Sequence, residues 1–330
     1  MLNTWHRRPA DGPIAHMCLK NTAATPVPHR LAGFFRGMVV KVPQTIHNEH
    51  DATRQQRFRE CQDDSMKDFA TDPFLAGISL QRDQITTWER YPYNIPAVRH
   101  LRHIELHPQV TFFVGENGTG KSTLVEALAV ELGFNPEGGS RNFNFATRDS
   151  HSLLHQQLLI DRGRGVRRPR DGYFFRAESY FNVATELERL DEGFERIPKL
   201  TPYYGGKSLH EQSHGESFWA LMTKRFHGNG LYIFDEPEAA LSPMRQMSLL
   251  TVLHDLAAQG SQFIIATHSP IIMAYPQAWI YWFSDDGIKR VTYEETEHFK
   301  VTQAFMNKRG KILDVLLEGE EKQQQTPRKH

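Results

Sequence analysis

The stretch Val110-Thr111-Phe112-Phe113-Val114, followed by Gly115-Glu116-Asn117-Gly118-Thr119-Gly120-Lys121-Ser122-Thr123, decides the fold. The first five residues have the length and apolar character of a short buried strand. The next nine fit G-x-x-x-x-G-K-[ST] at every position. From Lys121 to Leu132 apolar residues recur at Leu124, Leu128, Val130 and Leu132, which predicts an amphipathic helix stopped by Gly133. Strand, glycine loop and helix in that order make a cradle for phosphate. The glycines let the backbone curl so that successive N–H groups face phosphate oxygens, and the helix N-terminus adds its positive end. All nine residues are therefore candidate nucleotide-binding positions. Lys121 is placed to offset the charge of the β- and γ-phosphates, and Ser122 to ligate Mg2+.

Further along, the apolar run Leu231-Tyr232-Ile233-Phe234 delivers two carboxylates at its end, Asp235 and Glu236. Asp235 suits the Mg2+ shell, and Glu236, one residue on, suits a general base that polarises the attacking water. Other predicted strands are Gly77–Asp83, Leu101–Leu106, Phe174–Glu178, Gln262–Ala266 and Trp279–Phe283. A helix is predicted over Met244–Ala258, and a short, mainly helical arm over about 179–228. Strands alternating with helices call for a mostly parallel sheet covered by helices. Residues 1–70 lack periodicity and are interrupted by Pro26, Pro28 and Pro43, so they are expected to form a poorly ordered tail ahead of one α/β domain at 71–320. The charged, Gln-rich residues 321–330 are expected to fray.

Composition narrows the partners. The 330 residues carry 39 Lys+Arg against 39 Asp+Glu, so the chain as a whole has no electrostatic footprint for nucleic acid. The two cysteines, Cys18 and Cys61, show no metal spacing and point to a reducing, cytoplasmic setting. The most apolar stretch, Phe263 to Phe283, holds Thr267, His268, Ser269, Pro270 and Pro276, which disfavours a membrane span. Arg7 and Arg8 are followed by no continuous apolar run, against a secretory leader.

The motifs in series resemble those of ABC-type ATPases. Asp235-Glu-Pro-Glu-Ala-Ala-Leu-Ser-Pro243 is similar to their Walker B strand end and D-loop, and Ala266-Thr-His-Ser-Pro270 to their switch-histidine loop. Ser213-His-Gly-Glu216 resembles the signature motif, usually Leu-Ser-Gly-Gly-Gln or -Glu. Signature, Walker B and histidine follow in the family's order, and the similarity spans roughly residues 75–300. What the resemblance implies is a P-loop α/β core with an N-terminal antiparallel β-subdomain, ATP and Mg2+ as ligands, and His268 as the sensor of the γ-phosphate. It also implies a head-to-tail homodimer in which Ser213 and Gly215 of one chain meet ATP held by the other. Tyr91 or Tyr93 is the candidate for stacking on adenine, each equally readable as a packed tyrosine of the β-subdomain. Within the class, the run Asp235–Pro243 together with Phe174-Phe-Arg-Ala-Glu-Ser179 looks most like stand-alone bacterial AAA-type or SMC-like ATPases.

Two departures stand out. His214 replaces the middle glycine of the signature. No glutamine follows the strand leading into the helical arm, where transporters couple to their membrane subunits, so Glu178 or Ser179 occupies that place. Three outputs compete: a stand-alone ATPase acting in DNA maintenance or defence, the nucleotide-binding subunit of a transporter, and a clamp that binds ATP and turns over slowly. The basic run Arg162, Arg164, Arg167, Arg168 and Arg170 reads either as a solvated loop or as a contact to nucleic-acid phosphates. His103, Glu105 and His107, alternating on one face of a strand, and the i,i+4 pairs His151/His155 and His210/His214 come without the third and fourth ligands at metal-site spacing, and the histidines are read as solvated or core residues.

Overall fold

The computed structural model describes residues 72–141, 152–163, 167–180 and 214–324. The predicted tail at 1–70, most of the predicted arm and Ser213 lie outside the described residues.

Strand β3 (Val110–Gly115) is buried along its whole length and sits inside a six-stranded sheet. Strands β1 (Gly77–Leu80) and β2 (His103–Glu105) precede it, and β4 (Leu158–Asp161) and β5 (Asp171–Arg176) follow. Then come β6 (Gly230–Asp235), β7 (Gln262–Ala266), β8 (Ala278–Ser284) and β9 (Gly287–Val291). The large sheet has the order β5-β6-β7-β3-β8-β9, parallel throughout except for β9, which returns antiparallel along β8. Strands β2-β1-β4 form a separate antiparallel sheet.

Successive residues of a strand point to opposite faces. Phe112 and Val114 accordingly join Phe175, Phe234 and Ile265 in one core, while Phe113, Phe174, Ile233 and Ile264 join a second. Two buried faces explain why β3, β6 and β7 read as unbroken apolar runs rather than alternating ones. The Gln262 side chain fastens the small sheet's entry to the large one. It accepts from the Leu75 amide (2.9 Å) and donates to the carbonyls of Leu75 (2.8 Å) and His107 (3.0 Å).

The helices are α1 (Pro96–His100), α2 (Lys121–Glu131), α3 (His214–Lys224), α4 (Pro243–Ala258) and α5 (Glu297–Gln324). Helix α2 corrects the amphipathic reading. Leu124 through Ala129 are all buried, Glu126 among them, so the helix is enclosed on every side. The strand predicted over Phe174–Glu178 lies instead at Asp171–Arg176, with its last predicted residues already turning, and β1 stops at Leu80 before a short turn at Arg82–Gln84. Strands β4 and β9 and helix α5 have no counterpart among the elements expected from sequence. The backbone stays helical through Gln324, beyond the expected domain boundary at 320, with a non-helical residue at Lys308.

Parallel strands bring their C-terminal ends to one edge, and the register here is tight. Arg176 pairs with Asp235, Asp235 with Ala266, and Ala266 with Phe113, in a single row across the sheet. The loops leaving β3, β6 and β7 therefore emerge side by side, which is where open α/β sheets bind ligands.

Candidate functional site

The loop after β3 turns on glycine geometry. At Gly115, with φ +153°, a Cβ atom would lie 2.3 Å from the Phe283 carbonyl oxygen of the neighbouring strand. At Gly118, with φ +80°, the surroundings are open, and Glu116, Asn117 and Gly118 are exposed. Gly120 leads into α2 in the left-handed conformation, so the helix opens with its first amides uncapped by a side chain. Lys121 folds back beneath the loop and is buried, its Nζ donating to the carbonyls of Gly115 (2.9 Å) and Glu116 (2.7 Å). Burial pulls the ammonium below its usual range, while the carboxylates of Glu236, Asp235, Glu238 and Glu116 hold it up. Thr119 braces the loop through a 2.8 Å bond from its hydroxyl to the Glu116 carbonyl.

Beside the loop, Ser122 Oγ donates to Asp235 Oδ1 at 2.9 Å. Asp235 is buried, and that burial pushes its carboxyl up to about 7 against the pull of Arg176 and the Ser122 bond. Arg176, at the matching position of β5, stands 3.7 Å from Asp235 Oδ2 and 2.5 Å from Glu126 Oε2 on α2. Burial lowers the guanidinium and the nearby carboxylates raise it, with a net upward shift. Glu236 occupies the left-handed region, φ 50° and ψ 53°, its amide bonded to the Ala266 carbonyl at 3.0 Å. A non-glycine residue in that conformation is held there by its surroundings. The turn separates the two carboxylates, leaving Asp235 buried and the Glu236 side chain 39% exposed.

The loop after β7 is tied to the same segment. Glu238 accepts from Thr267 Oγ1 at 2.8 Å and from the His268 amide at 2.5 Å. Ser269 Oγ donates to Gln246 Oε1 on α4 at 2.6 Å. His268 Nδ1 meets His298 Nε2 at 3.1 Å, and His268 Nε2 stands 3.7 Å from Glu236 Oε1. Burial first, and the Lys121 charge second, lower His268 to about 4, so its ring is neutral near pH 7.

A family model described as "AAA domain, putative AbiEii toxin, Type IV TA system" matches residues 168–274, and a second, "AAA domain", matches 93–191. Between them they cover the phosphate loop, the carboxylate strand and the histidine loop. The fold is that of an ABC-type P-loop ATPase. Among curated relatives, the energy-coupling factor transporter ATP-binding protein EcfA1 of Fusobacterium nucleatum is 29% identical over 168 residues, covering 47% of this chain and 61% of that protein. The macrolide export ATP-binding/permease protein MacB of Chromobacterium violaceum is 25% identical over 230 residues, 61% of this chain and 32% of its own length. The chain thus spans about a third to three fifths of the length of these two relatives. The solved SMC head domain from Thermotoga maritima superposes with a TM-score of 0.36 at 16% identity, over 66% of this chain and 98% of that one.

Lys121, Ser122, Asp235, Glu236 and His268 lie together at one edge of the sheet. Ser213 falls outside the described residues, while Gly215 lies in the first turn of α3. Of the two tyrosines, Tyr91 is 63% exposed beside Thr123, whereas Tyr93 is packed edge-on to Trp88 and hydrogen-bonded to Gln157. Glu178 pairs loosely with Arg176 at 3.5 Å, and Ser179 is occupied by the Glu137 carbonyl at 2.5 Å. In the basic run, Arg167 is committed to Asn229 and lies over the Phe74 ring, which leaves Arg162, Arg168 and Arg170 exposed among the described arginines. His103 bonds Ser79 (2.9 Å), and His107 Nδ1 accepts from the amides of Gln109 and Val110 (3.1 and 3.2 Å). Sequence reasoning misses Arg176, Glu126, Glu238 and His298. The carboxylates pairing with Arg176 come from distant elements, and only strand register reveals them.

The residues fit a magnesium-bound nucleotide on two counts. His268 Nε2 is buried without a hydrogen-bond partner and faces the carboxylate of Glu236. The partly buried Ser122, next to Lys121 in the chain, bonds the buried Asp235, and the loop tip at Gly118 is open.

Proposed function

We propose that this chain binds Mg2+-ATP on the loop 115–123 and hydrolyses it. The observation that carries the reading is the convergence of three strand ends on one spot, with Lys121, the Ser122–Asp235 pair, Glu236 and His268 supplied by separate loops. Loop amides and Lys121 hold the β- and γ-phosphates, and Ser122 and Asp235 hold the metal, which supplies charge neutralisation on the phosphate oxygens. Its positive charge favours the ionised form of Asp235 that burial alone disfavours. Glu236, more exposed and turned away from Asp235 by its left-handed backbone, accepts the proton of the attacking water. His268 presents Nε2 to the transferred phosphoryl group.

The output we favour is a stand-alone ATPase working as an ATP-dependent head-to-tail dimer, with Ser213 and Gly215 completing the partner's site. A role in defence is in keeping with the toxin–antitoxin description of the family model, and a role on DNA with exposed Arg168 and Arg170. Arg176 closes the end of β5 with carboxylate partners, which leaves no glutamine there for coupling to a membrane subunit. The transporter-subunit reading draws on the printed names of the relatives.

Glu236→Gln tests the mechanism. Gln keeps size and polarity but takes no proton, so turnover should fall by about 10²–10⁴-fold while ATP binding survives. The variant should run as a dimer with ATP in size exclusion and the wild type as a monomer after turnover. Hydrolysis at the wild-type rate removes Glu236 as the base; a monomer in ATP removes the shared site.

A further inference from the structure

His298 belongs to no motif. It lies in the first turn of α5, and the chain around it is anchored to the loop that carries His268. Tyr293 donates its hydroxyl to the Pro270 carbonyl at 2.8 Å, and its ring packs 4.7 Å from Phe299. The buried Thr296 closes the corner, accepting from the Phe299 amide (3.3 Å) and donating to the Tyr293 carbonyl (2.6 Å). Trp282 of β8 meets the His298 ring edge-on at 5.8 Å. So braced, His298 places Nε2 3.1 Å from His268 Nδ1.

Both rings are neutral, since burial lowers each of them. A neutral imidazole carries one N–H, so the bond between them can run in two directions. If His268 Nδ1–H donated, its Nε2 would be a bare lone pair facing the Glu236 carboxylate at 3.7 Å. His298 would then carry its proton on Nδ1, a buried atom with no partner among the described residues. If His298 Nε2–H donates, His268 instead turns an N–H toward Glu236, and what is left unpaired on His298 is an acceptor. Orphaned buried donors are rarer than orphaned acceptors, and two facing acceptors repel. Both considerations select the second direction.

We propose that His298 is a positioning residue. Its Nε2–H fixes His268 in the Nε2–H tautomer, so that the switch histidine always presents a donor, never a lone pair, to the phosphoryl group. This rests on the nucleotide-hydrolysing reading above for its functional part, though the tautomer itself belongs to the nucleotide-free chain. It also makes the start of α5 part of the site, since a displaced α5 would release His268 to sample both tautomers.

The test is a nitrogen-15 imidazole spectrum of the nucleotide-free full chain, with the His268 signals assigned by their loss in His268→Ala. In the wild type His268 should be a neutral Nε2–H tautomer. In His298→Ala it should become a mixture, and His298→Gln, whose amide N–H reaches the same place, should restore it. With ATP, His298→Ala should lower kcat about tenfold, the worth of one hydrogen bond in the transition state, and leave KM nearly unchanged. His298→Gln should recover most of that loss, which a purely space-filling role would not. An Nδ1–H tautomer in the wild type overturns the proposal without any His298 variant, as does an unchanged tautomer in His298→Ala. A tautomer that shifts in this way in a chain that hydrolyses no ATP supports the histidine pair and overturns the hydrolysis reading instead.

Discussion

The two flanks of the phosphate loop are built on opposite principles. On the side of β5 and β6, buried charges face one another: Arg176 lies between Glu126 and Asp235, and Ser122 bonds the same aspartate. On the side of β7 and α5, the ring groups are neutral, and His268 is held by a carboxylate acting on its backbone and by a second imidazole. A charged flank can hold a divalent cation and take up its charge without rearranging. A neutral flank can offer a directed N–H to a phosphoryl oxygen without drawing a counter-ion into the site. The lysine beneath the loop stands between them and lowers the histidine electrostatically.

The difference can be broken by removing one flank at a time. The largest effect on the fold should come from Arg176→Met. Glu126 would then be a buried carboxylate stripped of its ion pair, with Asp235 left to Lys121 as its cation, and breaking a buried pair costs about 3–5 kcal/mol. Denaturant unfolding should show that loss, and Mg2+ should restore part of it by replacing the missing charge on Asp235. If Arg176→Met leaves stability unchanged, the carboxylates are being compensated by something other than Arg176.

A histidine outside the site sharpens the contrast. His107 is also half-buried and neutral, its value lowered to about 4 by burial and then by Arg290. Between pH 6.5 and 4 the folded chain binds fewer protons than the unfolded one. The stability His107 contributes is therefore present above 6.5 and is lost as pH falls through that window, by about 3 kcal/mol. His107→Asn should flatten that part of the melting-temperature profile. The same slope in the variant would assign it to other groups.

The smallest change is Glu238→Gln. One of the two carboxylate oxygens becomes an NH2 group facing either the Thr267 hydroxyl or the His268 amide. Facing the amide it makes an unmatched donor pair, and facing the hydroxyl it turns Thr267 Oγ1 into an acceptor and takes away the partner of the Thr267 O–H; either should cost about 1–2 kcal/mol in thermal or denaturant unfolding. A larger part of the effect should fall on turnover than on stability, because the loop it loosens carries His268. Equal kcat in the two proteins would show that His268 is held by His298 alone.

What can be read in advance divides along the same line. The loop 115–123, the strand ending in Asp235 and Glu236, and the loop holding His268 are each written in neighbouring residues, where glycines, apolar runs and acidic ends sit in fixed order. Arg176 cannot be found that way. Its partners Glu126 and Asp235 lie 50 and 59 positions from it in sequence, and only the register of β5 on β6 brings it beside the aspartate. His298 is invisible for a similar reason, because the helix that carries it follows the edge strand β9. That strand, Gly-Ile-Lys-Arg-Val, has only one apolar face and few residues to show a period. The helix after the loop departs in the other direction. Its spaced leucines suggest one buried face, but Val125 and the alanines between them are buried as well, because the small sheet encloses that side. Tyr91 and Tyr93 cannot be told apart from sequence, since exposure beside Thr123 is a property of the packed neighbours.

The close approach at Gly115 carries a consequence for how such a chain can change over generations. A side chain at that position would strike a backbone carbonyl of the paired strand β8 rather than a flexible neighbour, so no compensating rotamer exists. The clash can be relieved only by sliding one strand of the central sheet, which would shift Trp282 and the carbonyls around it along with the lysine's anchor. Gly118, at the open tip, faces no such wall, and the small polar residues that tolerate a positive φ are sterically admissible there. The loop is thus frozen where it leaves the sheet and open to drift at its tip, so on the nucleotide-binding reading proposed above, lineages of this chain can diverge in what touches the phosphates while keeping Gly115.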